Sequence, residues 1–268
     1  MVVSTKSKTF LGAGFVITIV AVVMLFSGDL MSFSGSPPDD AGDALEGVKL
    51  TLLTNAGVMI EAKGVRIYID PVDLPSEYGD SPADAILITH DHSDHYQEST
   101  ISMLQKERTV NIFPRIMEDE IERYNGTGVV PGDKVSLGSI TVTAFNMYTF
   151  FPMATPPPTH PAESNYTSYI VDIDGFTIFH AGDSKNIPEY EKLKGTIDVA
   201  LLPLGPGCQT MTGYEIVEAI QVIEPRYFVP IHFAEGENGE FVSQYRTMIE
   251  SGRKCEICNL DHYASHTF

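Results

Sequence analysis

The sequence is short of positive charge. Its 268 residues include 17 lysines and arginines against 36 aspartates and glutamates, which gives a formal net charge of −19 at pH 7. Such a surface repels nucleic-acid phosphates and anionic lipid headgroups, so the composition argues against a nucleic-acid partner. A bound metal pair would reverse the sign of the charge locally, and an anionic substrate is therefore still compatible with this composition.

The sequence also lacks the usual signs of a side-chain nucleophile. It contains no Gly-x-Ser-x-Gly motif and no cysteine with a histidine in a recognisable catalytic context. Cys255 and Cys258 form a Cys-x-x-Cys pair, but no thioredoxin-like pattern surrounds them, and half a zinc site would lack its other half. The pair is therefore either a local disulfide of an exported protein or two unreactive thiols.

Charged residues are absent from positions 10–26 (FLGAGFVITIVAVVMLF), and two lysines precede this stretch. Its length is at the lower limit for a membrane-spanning helix and at the upper limit for a signal-peptide core. The lysines would keep the N-terminus in the cytoplasm and export the rest of the chain. We expect a transmembrane anchor over 1–28, with a cleaved signal and secretion as the alternative. Residues 29–46 then form a flexible linker, and residues 47–268 form one domain outside the cytoplasm.

The most informative stretch is ILITHDHSDH, residues 86–95. Its apolar half predicts a short buried strand, whereas its polar half would be costly to bury without a partner. His90 and His92 are two residues apart, so they point to the same side of an extended segment and can share one metal ion. Asp94 and His95 follow where the chain must turn, and they can converge on a second ion. Imidazole and carboxylate together suit zinc, manganese or iron.

The rest of the chain predicts an α/β (α+β) fold. From Val48, short β-branched segments separated by turn residues predict an antiparallel meander, and the order strand–strand–helix recurs in the second half. This order fits two mixed sheets packed face to face with helices outside. Residues 147–166 contain five prolines and predict a long loop, which we expect to form one wall of a substrate pocket.

HDHSDH matches the His-x-His-x-Asp-His signature of the metallo-β-lactamase superfamily at its four specified positions. Four further sequence segments resemble its branch of lactonase-like and phospholipase-D-like hydrolases, which includes ascorbate-6-phosphate lactonase-like proteins. These segments are IYIDPVD at 67–73, FHAGDS at 179–184, LLPLG at 201–205 and PIHF at 230–233. The resemblance implies a four-layer αββα sandwich with metal ions at one edge.

The resemblance also implies a ligand set for two divalent ions, with zinc the first choice. The first ion would be bound by His90, His92 and His160, the second by Asp94, His95 and His232, and both by Asp183. Asp94 and Asp183 would also have catalytic roles. Asp70 resembles the family's aspartate that orients a ligand, and His180 is a second candidate for such a role. His262 and His266 have no counterpart in the family, and we interpret them as surface residues.

The function that follows is hydrolysis of an ester, lactone or phosphodiester bond by a metal-bound hydroxide at a binuclear site. The apolar side chains of the 147–166 loop, among them Phe150 and Phe151, suggest a small substrate with an apolar portion. Two alternatives come from other classes. One is a di-metal oxidoreductase in the same fold, and the other is a non-catalytic, metal-bound binding module anchored to the membrane.

Overall fold

The computed structural model describes residues 47–150, 157–205, 209–251 and 255–268, which form two seven-stranded sheets. The first sheet has the strand order β14–β1–β2–β3–β4–β5–β6, with β1 Lys49–Leu52, β2 Val58–Ala62, β3 Val65–Ile69, β4 Ala85–Leu87, β5 Val110–Pro114, β6 Thr127–Val129 and β14 Ser265–Thr267. The second has the order β13–β12–β11–β10–β9–β8–β7, with β7 Lys134–Leu137, β8 Ile140–Asn146, β9 Thr167–Ile173, β10 Phe176–His180, β11 Val199–Pro203, β12 Tyr227–Ile231 and β13 Glu256–Ile257.

Four α-helices are described along the same residues. They are α1 Glu98–Leu104, α2 Glu118–Arg123, α3 Gly213–Ile223 and α4 Glu237–Glu250. Short 3-10 turns lie at Ser76–Asp80, Ala162–Ser164 and Pro188–Leu193. Helix α3 begins with a capping box, in which the Thr212 side chain accepts from the Glu215 backbone and the Glu215 side chain accepts from the Thr212 backbone.

Strand β4 shows why the sheet is covered on both faces. Because successive side chains of a strand point to opposite faces, Ala85 and Leu87 enter one apolar cluster and Ile86 enters another. The first cluster joins the inner faces of the two sheets and includes Tyr169 of β9. The second joins the outer face of the first sheet to α1, through Leu104 among others. The predicted face-to-face packing of two sheets with helices outside is confirmed for this part of the fold.

Strand direction determines where the functional residues lie. The predicted antiparallel meander is confirmed for β1, β2 and β3, whereas β3, β4, β5 and β6 run parallel. In the second sheet, β7 to β10 are antiparallel, and β10 to β13 are parallel. The parallel strands of each sheet therefore end at a common edge, where binding sites of α/β folds usually lie.

Some elements were not predicted from the sequence. The three-residue β6, the two-residue β13 and the three-residue β14 are too short to show an alternating pattern. Strand β14 forms only with a partner far away in sequence, because it pairs with β1, the first strand of the domain. Its residue His266, interpreted as a surface residue, is half-buried and packs against Phe268, with 4.6 Å between ring centroids.

Two expectations concern the chain termini. The predicted anchor at 10–26 lies outside the described residues, and no helix within the described ranges is long and apolar enough to cross a membrane. Near the C-terminus, the thiol of Cys258 is free and buried, so the local disulfide with Cys255 is not formed. Burial raises the pKa of Cys258 to about 11, which favours the alternative of an unreactive thiol.

Candidate metal centre

Most of the expected metal ligands follow the carboxyl ends of parallel strands. The HDHSDH segment follows β4, Asp183 lies three residues beyond β10, and His232 directly follows β12. His160 comes from the long loop after β8. Hydrogen bonds join the two sheets here: the Tyr169 hydroxyl donates to the Ile88 carbonyl at 2.7 Å, and the backbone N–H of His232 donates to the carbonyl of Asn55 at 2.9 Å.

Three histidines form a first cluster at this edge. The Nε2 atom of His160 lies 3.2 Å from Nε2 of His90 and 3.2 Å from Nδ1 of His92. His90 and His160 are fully buried, whereas His92 is only partly buried. The structure thus brings His160 to the same point as the two histidines of the motif, although 68 residues separate it from His92.

Asp94, His95 and His232 form a second cluster. The Oδ2 atom of Asp94 lies 3.5 Å from Nε2 of His232 and 3.8 Å from Nε2 of His95. Asp183 lies between the two clusters. Its Oδ1 atom is 3.1 Å from Nε2 of His95, and its Oδ2 atom is 3.7 Å from Nε2 of His160.

The donor atoms of both clusters fit divalent metal ions. Bonds of about 2.0–2.2 Å in a tetrahedron place neighbouring ligand atoms about 3.4 Å apart, which is close to the separations above. Within the described residues, the Nε2 atoms of His95 and His232 and both carboxylate oxygens of Asp183 are buried without a hydrogen bond. Buried polar atoms without partners are costly, and bound cations would satisfy all four.

A buried carboxylate orients a ligand of each cluster. Asp70 is fully buried, and its Oδ2 atom lies 2.8 Å from Nδ1 of His95. The same oxygen accepts a hydrogen bond of 2.6 Å from the Thr89 hydroxyl, which in turn lies 2.9 Å from Nδ1 of His90. Because the Thr89 proton is donated to Asp70, the hydroxyl accepts from His90. Both histidines therefore carry a proton on Nδ1, and in the neutral form each presents an Nε2 lone pair to the site.

The turn that carries Asp183 is held by close packing. Gly182 has φ +56°, and a Cβ atom there would lie 2.6 Å from the Met147 sulfur. His180 accepts from the Gly182 N–H at 3.2 Å and donates to the Ala56 carbonyl, with its Nε2 at 2.8 Å. His180 thus stabilises the turn before Asp183, which agrees with the supporting role expected for it.

The protonation of the site follows from burial and from neighbouring charges. Burial lowers the pKa of His90 well below its ordinary value, and it lowers that of His160 to about 4. These two histidines are therefore neutral at pH 7, as metal ligands must be. Burial alone would raise the pKa of Asp183, but the neighbouring His95, His232 and His160 lower it below the ordinary value, so the carboxylate stays ionised.

Several supporting residues were missed in the sequence. Tyr166 donates a hydrogen bond of 2.6 Å to Asp91, and its ring centroid lies 5.5 Å from that of His90. Asn55 donates to the Asp94 carbonyl at 2.9 Å. The position of Asn55 in a turn between two strands is a weak sign of function, and Tyr166 has no local signature, because its partner is 75 residues away.

The described parts of the 147–166 loop lie beside the first cluster. The backbone N–H of Thr149 donates to the His160 carbonyl at 2.8 Å, so the two ends of the loop meet at the site. Met147 is buried, whereas Phe150 is 42% exposed and its ring centroid lies 6.3 Å from that of Tyr148. Phe151 lies outside the described residues. His262, expected at the surface, is half-buried and stacks on Phe233 at 4.9 Å.

Comparisons with known proteins agree with this geometry. A family model described as a beta-lactamase superfamily domain matches residues 49–232. A UPF0173 metal-dependent hydrolase from Pyrococcus furiosus is 31% identical over 198 residues, which are 69% of this chain and 84% of the relative. The chain is thus similar over most of the described fold to proteins named for metal-dependent hydrolysis.

Solved structures show the same architecture. A metal-dependent hydrolase from Parabacteroides distasonis is 28% identical, with a TM-score of 0.66, and the match covers 78% of this chain and 92% of that one. A diiron β-hydroxylase from Streptomyces venezuelae is 16% identical, with a TM-score of 0.62 over 83% of this chain and 54% of that one. The second likeness concerns the fold alone.

Proposed function

Because this chain belongs to the UPF0173 metal-dependent hydrolases of the metallo-β-lactamase superfamily, we propose that it cleaves an ester, lactone or phosphodiester bond at a binuclear metal site. The single observation that supports this proposal is the convergence of seven donor residues at one sheet edge, with buried donor atoms that bound cations would satisfy. The residues that would hold the ions are His90, His92 and His160, then Asp94, His95 and His232, with Asp183 shared.

Divalent ions, of which zinc suits this donor set best, would lower the pKa of a bound water toward about 7 and polarise the bond under attack. The protein's own groups prepare the site for this chemistry. Asp70 holds His95 directly and His90 through Thr89, so two ligands need no reorientation when an ion binds. Asp183 is fully buried and is therefore suited to be a ligand that both ions share.

Asp94 has a different environment from Asp183. Its side chain is 45% exposed, and its contacts with Asn55, His95 and His232 all use Oδ2. None of these contacts uses Oδ1, and we propose it as the oxygen to which a reacting water passes a proton. We assign Asp94 this acid–base role in addition to its role as a ligand.

The surroundings of the site favour a substrate with an apolar portion. Phe150 is 42% exposed although it is adjacent to Thr149, which hydrogen-bonds to His160. An exposed aromatic side chain beside a cluster of donor groups is typical of a binding surface. Tyr148 packs near Phe150 and extends this surface, so the substrate's apolar group would lie along the start of the 147–166 loop.

The proposal is tested with protein purified under metal-replete, chelator-free conditions. We expect about two divalent ions per chain and hydrolysis of at least one class in a panel of esters, lactones and phosphodiesters. Replacement of His232 by Ala should remove one ion and abolish turnover. The matched control is His266→Ala, a half-buried histidine of strand β14 that is not part of the cluster, which should keep both ions.

Two results would contradict the proposal. Protein that takes up no metal under these conditions would exclude the binuclear site. Iron-loaded protein that consumes dioxygen, while every hydrolytic substrate stays intact, would favour the di-metal oxidoreductase instead.

A further inference from the structure

We infer that Gln209, a residue of the β11–α3 connection, is a positioning residue for His160, the histidine that the long loop contributes to the first cluster. This inference rests on the proposed metal site. It starts from how His160 is oriented. Nε2 of His160 faces the other two histidines at 3.2 Å each, so this nitrogen must offer its lone pair to an ion and the ring proton must lie on Nδ1.

The Nδ1 atom of His160 lies 3.0 Å from the hydroxyl oxygen of Thr159. That hydroxyl lies 3.4 Å from Oε1 of Gln209 and is the donor in this contact. The order of groups is therefore imidazole, threonine hydroxyl and side-chain oxygen. It repeats the order His90, Thr89 and Asp70 that orients another histidine of the first cluster, with a neutral amide in place of a carboxylate.

Gln209 also holds the backbone on which His160 is carried. Its Oε1 atom accepts from the Thr159 N–H at 2.9 Å, and its Nε2 atom donates to the Pro157 carbonyl at 3.3 Å. Gln209 itself has φ +63°, a left-handed conformation that is uncommon for non-glycine residues. One side chain thus connects two separate loops and orients the side chain of the third ligand.

This connection matters because His160 comes from a loop. The other two ligands of the first cluster lie within five residues of the end of the buried strand β4, whereas His160 is preceded by a proline-rich segment. A ligand on a loop binds strongly only if other contacts fix its position before the ion arrives. The contacts with Thr149 fix its backbone, and the Gln209–Thr159 pair fixes its ring.

The test compares Gln209→Met, which keeps the size of the side chain but removes both polar groups, with Gln209→Glu, which keeps the acceptor for Thr159. Gln221→Met, an exposed position on α3, is the matched control. Metal affinity is measured by competition with a chromogenic chelator, and the absorption spectrum of the cobalt(II)-loaded protein reports ligand geometry. Circular dichroism confirms that each variant is folded.

We expect Gln209→Met to bind one ion about 10–100-fold more weakly and to show an altered cobalt spectrum. Gln209→Glu should restore the affinity to within a few fold of wild type, and Gln221→Met should match wild type in both measurements. Gln209→Met with wild-type affinity and an unchanged spectrum would overturn the role of Gln209 while the proposed site stands. Wild-type protein that binds no metal would overturn both.

Discussion

Asp70→Asn offers the sharpest test of how the site is organised, because the two side chains have the same shape and differ in what they donate. Asp70 accepts three hydrogen bonds: Oδ1 from the Thr89 N–H at 2.7 Å, and Oδ2 from the Thr89 hydroxyl at 2.6 Å and from His95 Nδ1 at 2.8 Å. In the Asp70→Asn variant, the amide oxygen must face the Thr89 N–H, because that group needs an acceptor. The amide NH₂ then replaces Oδ2 and faces two groups that are themselves donors.

The consequence is a change of tautomer. His95 can satisfy a facing NH₂ only by accepting at Nδ1, which moves its proton to Nε2, the atom that lies 3.1 Å from Asp183. A protonated Nε2 cannot bind a metal ion. We therefore expect the second ion to bind about 100-fold more weakly, which equals about 2.8 kcal/mol. This figure is consistent with the loss of one hydrogen bond to a charged group, about 1.5–3 kcal/mol.

The assay is metal affinity by chelator competition. A second measurement is the turnover of an ester, lactone or phosphodiester that the wild-type protein hydrolyses. Asp84→Asn is the matched control, because Asp84 is a partly exposed carboxylate at the opposite end of β4 that accepts from the backbone of Arg66 at 2.8 Å. The control should keep both ions. If Asp70→Asn bound the second ion within twofold of wild type and retained full turnover, the tautomer argument would be refuted.

The remaining predictions address other parts of the molecule. Asp183→Ala should abolish turnover and weaken both ions, since its two oxygens face different clusters; loss of a single ion with turnover kept would show that it does not bridge. Phe150→Ala should raise KM with metal content and Tm unchanged, because the ring is 42% exposed; a drop in Tm of several degrees would instead indicate a core contact. The charge-free stretch 10–26 is expected to retain the full chain in the membrane fraction after cell lysis, whereas a chain that lacks residues 1–28 should leave it. Intact full-length protein in the soluble fraction would contradict this.

The local part of the site could be predicted because its signals are local. A short apolar run that breaks into His90, Asp91, His92, Ser93, Asp94 and His95 is unusual in any protein, and the strand before it is confirmed as β4. The family resemblance then supplied His160, Asp183 and His232 on the motifs that surround them. The superfamily is confirmed, while the lactonase-like branch stays a prediction.

The contacts that support the ligands could not be predicted, because they join residues that are far apart in the chain. Tyr166 reaches Asp91 across 75 positions, and Gln209 reaches Thr159 across 50. Neither residue lies in a motif or in a periodic pattern. Such partners become visible only when the loops that carry them are placed in space.

The sequence by itself determined which residues can bind a metal and that each lies after a strand or within a loop. It could do so because residue type and strand patterns are local properties. It also indicated an aspartate at the end of β3. Only the tertiary structure decided what that aspartate does. The parallel register pairs Ile69 with Leu87, and the N–H of Asp70 donates to the Leu87 carbonyl at 2.9 Å. This register places Asp70 within hydrogen-bond distance of Thr89 and His95, where one buried carboxylate sets the tautomers of a ligand in each cluster.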